Sequence, residues 1–112
     1  MTIEEIERLL SSFKLDNLEC DGATRVIHTI LFKNKIQHTV WFGYASYNEK
    51  KIVHFWITYD KYIIDYKSKM WFGEIEDVKQ GVFLDEDTSV FYDGKPTNLE
   101  TLSDKLLDIL LT

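Results

Sequence analysis

The chain has 112 residues, 45% of them apolar, 29% charged and 14% aromatic, with a net charge of -6. Such a length and composition describe a soluble globular protein, expected as a single domain over residues 1–112 that buries about two-thirds of its unfolded surface. The acidic balance argues against nucleic acid or an anionic membrane as partner, since both call for a basic surface.

Cys20 is the sole cysteine, so no internal disulfide is possible and a reducing, cytoplasmic setting is expected. The N-terminus, MTIEEIERLL, lacks the basic start and apolar run of a signal peptide, and no apolar run approaches the ~20 residues of a membrane span. Residues 2–13 read as a helix. Thr2 and Glu5 have the spacing of a capping box, and Ile3, Ile6, Leu9, Leu10 and Phe13 form one apolar stripe. A stripe of this kind ordinarily packs against the domain's own sheet.

After a polar connector over 14–19, a second helix is expected from Cys20 to Phe32, with Cys20, Ala23, Ile27, Ile30 and Leu31 on its buried face. Asp21 stands in the first turn, where a carboxylate suits the helix dipole. The same dipole favours a thiolate, the nucleophilic form, at Cys20. Without a catalytic partner, a free cysteine there is simply a small core residue.

Asn34-Lys35 ends that helix, Ile36 to Ser46 reads as a strand, and Tyr47 to Lys50 as a turn. Ile52 to Tyr59 carries apolar residues on both faces, Ile52 and Trp56 on one and Val53, Phe55 and Ile57 on the other, as a central strand does. With Asp60-Lys61 as a two-residue loop, Tyr59 faces Tyr62, Ile57 faces Ile64 and Trp56 faces Asp65. Side chains alternate, so His54, Trp56 and Asp65 share a face, with His54 diagonal to Asp65. A histidine and a carboxylate so placed need only a nucleophile, and the chain offers one cysteine.

Gly73 to Gln80 is an acidic connector. Gly81 to Leu84 and Ser89 to Tyr92 read as short strands around Asp85-Glu86-Asp87, a turn without the ligand spacing of a calcium loop. Asp93-Gly94 reads as a further turn before Pro96. Thr97 and Glu100 repeat the capping-box pattern and open a final helix with Leu99, Leu102, Leu106, Leu107 and Leu110 on its buried face. The elements sum to an α+β fold: two N-terminal helices, an antiparallel sheet of four or five strands and a C-terminal helix packed on it. No glycine-rich phosphate loop occurs, and Cys20, His28, His38 and His54 lack paired metal-ligand spacing, so neither cofactor nor metal is expected.

A lone cysteine opening a helix, a strand bearing His54-Phe55-Trp56, a strand ending in Ile64-Asp65 and then Trp71-Phe72 follow one another in a familiar order. Over residues 15–73 the chain resembles the transglutaminase-like branch of the papain-like cysteine enzymes. Tyr66-Lys67 follows the acid where many relatives have Pro-Thr, and no glutamine stands upstream of Cys20 as an oxyanion donor. The resemblance implies a papain-like (transglutaminase-core) fold and a Cys20-His54-Asp65 triad acting on an amide of a protein or peptide. Cys20 would attack the carbonyl, His54 would carry the proton, and Asp65 would orient the imidazole. The Cys20 N–H, helped by Asn17, would meet the oxyanion, and Trp56 would wall the cleft. Water as acceptor gives a peptidase or deamidase, and an amine gives a transglutaminase. The alternative is a small acidic binding or inhibitor protein that keeps the scaffold without turnover, its acidic surface mimicking a nucleic acid or engaging a basic partner.

Overall fold

The fold begins with a helix whose cap is visible in both sequence and coordinates. The computed structural model describes residues 2–11, 15 and 18–111, with Leu110 and Leu111 by backbone only. In helix α1 (Ile3–Ser11) the Thr2 hydroxyl accepts from the Glu5 N–H at 3.2 Å, while the Thr2 N–H donates back to the Glu5 carboxylate at 3.3 Å. That reciprocal pair satisfies two of the donors a helix N-terminus leaves open. Ile6 and Leu10 are fully buried, with Ile3 and Leu9 packed beside them; Phe13 lies outside the described residues.

Helix α2 (Cys20–Lys33) buries Ala23, Val26, Ile27, Ile30 and Leu31. It stops as expected at Asn34-Lys35, where Lys35 takes the left-handed φ of 58° and the Ile36 N–H reaches back to the Leu31 carbonyl at 2.9 Å. That reversal uses Ile36, so strand β1 (Thr39–Tyr47) begins later than the expected Ile36. It turns at Asn48-Glu49 into β2 (Lys50–Tyr59), and Asp60, at φ 53°, turns β2 into β3 (Tyr62–Asp65). Asn and Asp tolerate this conformation better than most side chains. A short helix α3 (Ser68–Phe72), which the pattern did not suggest, then leads by an acidic connector to β4 (Gly81–Leu84). Asp85–Asp87 form an exposed single turn of 3-10 helix before β5 (Phe91–Thr97), and α4 (Asp104–Leu111) ends the chain.

The fold is α+β, with four α-helices among the described residues and a five-stranded antiparallel sheet in the order β4-β3-β2-β1-β5. β2 is its centre, as its two apolar faces imply. One face carries Val40, Ile57, Ile64 and Val82 against α1 and α2. The other carries Trp41, Ala45, Trp56, Ile63, Phe83 and Tyr92, with Phe72, Val78 and Val90 packed on it. Among the described residues no helix is long and apolar enough to cross a membrane.

Several expectations near the C-terminus need correction. Asp93-Gly94 is not a turn: both residues lie inside β5, paired with Tyr44 and Gly43 of β1, and Pro96 pairs with Trp41. An edge strand tolerates proline, and the facing glycines let the two backbones close up. The Ser89 N–H instead bonds to Asp77 at 2.8 Å, so the strand starts at Phe91 rather than Ser89. Nor does Thr97 cap a helix, because it completes β5 opposite Val40. Ser103 takes that role, its hydroxyl accepting from the Leu106 N–H at 3.2 Å. Starting α4 later changes which leucines face inward: Leu102 and Leu107 are buried, whereas Leu106 is 49% exposed.

Gly94 gives the packing a direct test. A Cβ there would lie 2.6 Å from the Phe42 carbonyl and 2.8 Å from the Trp56 ring. Gly94→Ala is expected to cost about 1–3 kcal/mol, the usual scale of overpacking. A urea melt of the variant checks it, and an unchanged midpoint would contradict the close approach.

Candidate functional site

The β2–β3 ladder pairs Tyr59 with Tyr62, Thr58 with Ile63 and Ile57 with Ile64, the expected register. It ends there. Asp65 pairs with Gly81 of β4 rather than with Trp56, yet its side chain stays on the His54 face. Imidazole and carboxylate meet directly: His54 Nε2–H donates to Asp65 Oδ2 at 2.8 Å, with side-chain exposures of 0% and 2%. Asp65 Oδ2 also accepts from the Tyr92 hydroxyl at 2.8 Å, and Oδ1 accepts from the Lys67 N–H at 2.9 Å. All three contacts are donors, the complement that a carboxylate accepts.

Aromatic rings back this array. His54 stacks on Trp56 at 6.4 Å between centroids, and Trp56 leans on Tyr92 at 5.0 Å. Trp56 is itself buried and floors a cleft of about 310 Å³ with Trp41, Tyr62, Asp85 and Tyr92. Cys20 is not among the residues that line that cleft. The role observed for Trp56 is to shield the imidazole from behind.

Cys20 is the first residue of α2 and is half-buried. Just past the end of the β2–β3 ladder, the Thr24 hydroxyl donates to the Phe55 carbonyl at 3.4 Å and ties the helix to β2 beside His54. No side chain caps α2 at Glu19, and Asp21 occupies the Gly22 N–H at 2.8 Å. The positive end of the helix thus stands beside the thiol.

Burial pulls the His54 pKa down, but the Asp65 hydrogen bond, the adjacent Cys20 thiol and their charges outweigh it, and the pKa is pushed up to about 9. Nδ1 of His54 has no hydrogen-bond partner among the described residues. Cys20 is thus close enough to influence the imidazole, yet no hydrogen bond closes on Nδ1, the ring nitrogen left open. Loose contacts of this kind are usual in sites without substrate.

The structure therefore brings together Cys20, His54 and Asp65, with Trp56 alongside; Asn17 lies outside the described residues. Sequence reasoning missed Tyr92, which it read only as a strand end. Burial, followed by the Asp65 charge and hydrogen bond, raises the Tyr92 pKa far above the ordinary phenol value. Its placement depends on the pairing of Tyr92 with Ala45 across β5 and β1, a long-range contact that local alternation does not reveal. No protein-family profile, curated protein or solved structure matches this chain.

The raised His54 pKa makes stability depend on pH. A histidine whose folded pKa lies near 9, against 6.5 when unfolded, contributes fully below 6.5 and loses that contribution as pH rises through 9. The full term is on the order of 3 kcal/mol. Urea midpoints should therefore fall between pH 6.5 and 9.5, and Asp65→Asn should flatten that fall. An equal fall in wild type and variant would dissociate it from this pair.

Proposed function

We propose that the chain is a cysteine-nucleophile acyl-transfer enzyme of papain-like, transglutaminase-core type, acting on an amide of a protein or peptide through Cys20, His54 and Asp65. One observation carries the reading: His54 is fixed by Asp65 through Nε2 and leaves a buried Nδ1 unpaired beside the thiol at a helix N-terminus. An unpaired buried polar atom costs about 1–3 kcal/mol, so its retention calls for an explanation. An Nδ1–H kept for the Cys20 thiolate, on a ring that stays charged below its raised pKa, supplies one.

In this mechanism Cys20 reacts as the thiolate of an ion pair whose proton already sits on Nδ1, and the sulfur forms a bond to the amide carbon. The carbonyl π pair moves onto oxygen, where the N–H of Cys20 and the helix dipole stabilise the charge. Collapse of the tetrahedral adduct breaks the C–N bond, and the imidazolium gives its proton to the leaving amine. Water or a second amine then attacks the thioester, with His54 taking its proton as the thiolate leaves. Asp65 holds the ring in position throughout, and Tyr92 and the Lys67 N–H hold Asp65. A free thiol nucleophile suits a reducing compartment such as the cytoplasm.

A second reading, a binding or inhibitor protein on the same scaffold, is favoured by a different observation. On the helix-side face of the sheet, beyond the helices, Phe42, Tyr44, Val53 and Phe91 are 42–66% exposed. Apolar patches of this kind often mark interaction surfaces.

Alkylation separates the two readings. Wild-type Cys20 is expected to react with iodoacetamide at neutral pH much faster than free cysteine, and His54→Ala should remove the advantage. On an amide substrate, Cys20→Ala should abolish turnover, while loss of His54 should cost roughly 10²–10⁴-fold. A Cys20 whose alkylation ignores His54→Ala would leave the binding reading in place.

A further inference from the structure

Away from Cys20, two other histidines meet. His28, on α2, and His38, just before β1, place Nδ1 and Nε2 at 2.7 Å from one another. The outer nitrogens are engaged as well: His28 Nε2 lies 3.0 Å from the Leu99 carbonyl, and His38 Nδ1 lies 2.7 Å from the Ile36 carbonyl. Both carbonyls can only accept, so each outer nitrogen must carry a hydrogen. The bond between the rings requires a third. Two neutral imidazoles have only two hydrogens between them. A doubly charged pair would have four and would force two N–H groups together across 2.7 Å. Only the singly charged pair satisfies all three contacts.

We propose that His28 and His38 form a binding site for one shared proton, and that this proton fastens the β5–α4 connector to α2. The connector is held at three points along the helix. The Arg25 guanidinium donates to the Glu100 carbonyl at 2.8 Å, His28 donates to Leu99, and Thr29 accepts from the Leu102 N–H at 2.9 Å. The histidine contact is the one of the three that a change of pH can break. The pair is half-buried, and a cavity of about 340 Å³ lined by Thr39, Pro96, Asn98 and Leu99 opens onto it.

The surrounding charges are Arg25 and Lys33 on α2, Lys35 in the following turn, Glu100 in the connector and Asp104 on α4. Arg25 pairs with Glu100 at 4.0 Å, and Lys33 pairs with Asp104. The β1 and β5 residues lining the cavities at the pair, Thr39, Val40, Pro96 and Thr97, bring no ionisable group. Among the described residues no carboxylate is hydrogen-bonded to either ring, so the second ring supplies the acceptor. Burial and then the charge of His38 lower the His28 pKa, as expected of a pair that resists a second proton. By linkage the pair stabilises the fold most where it holds one proton. That contribution fades at lower pH, as the unfolded chain takes up two, and at higher pH, as the shared proton leaves.

The test is imidazole ¹⁵N NMR on the full chain, titrated across the neutral range. A scalar coupling through the N–H···N bond should link two rings and identify them without substitution, and together those rings should carry a single charge at pH 7. Protection of the Leu102 amide from exchange should drop when that proton leaves. Two neutral rings at pH 7, or two imidazolium rings at pH 6, would overturn the shared site. Leu102 protection that ignores the titration would overturn its fastening role. His38→Gln, which cannot hold the extra proton, should lose the pH dependence of that protection, and its persistence would likewise sink the proposal.

Discussion

The contact between His54 and Asp65 is the constraint around which the rest of this structure is arranged. Burying both groups almost completely is costly unless each polar atom finds a partner. Asp65 finds three, from the preceding strand β2, from β5 and from the chain just beyond its own strand. Those partners come from three separate segments of the chain. The full set of contacts therefore needs β2, β3 and β5 together. The single atom left over is Nδ1 of His54, on a ring whose charge Cys20 also influences.

Sheet topology explains how such an array arises. A meander from β1 to β4 brings His54 and Asp65 to one face through a tight turn, while the return of β5 to the far side of β1 adds Tyr92 from the other direction. Gly43 and Gly94 make that return close. Their missing side chains let β5 approach β1, and Gly94 leaves room for the Trp56 ring that lies between His54 and Tyr92. The glycines do not touch the candidate site, yet they set its rear wall.

What the sequence made legible was local. The Thr2–Glu5 cap, the end of α2 at Asn34-Lys35 and the register through Asp60-Lys61 all follow from neighbours within a few residues, and alternation carried the register to His54 and Asp65. The path of β5 was not legible. Asp-Gly before a proline is ordinary turn chemistry, and only the edge position and the facing Gly43 make it a strand. The start of α4 failed for a related reason: the Thr97–Glu100 spacing imitates a capping box, but pairing with Val40 claims Thr97 first. Tyr92 and the His28–His38 contact share this character, since each joins segments that no periodic pattern relates.

Helix α2 joins the two histidine systems physically. At its N-terminus stands Cys20, one turn later Thr24 grips β2, and further along Arg25, His28 and Thr29 grip the connector. Apolar packing under the helix resists separation but is non-directional and does little to fix position along the axis. Directional hydrogen bonds supply that fixity. A helix of this length spans roughly 21 Å, so contacts distributed along it control where its first residue lies. The position of Cys20 relative to β2 is thus held by polar contacts along the helix. The axial position of α2 therefore decides where Cys20 lies more than the depth of its burial does.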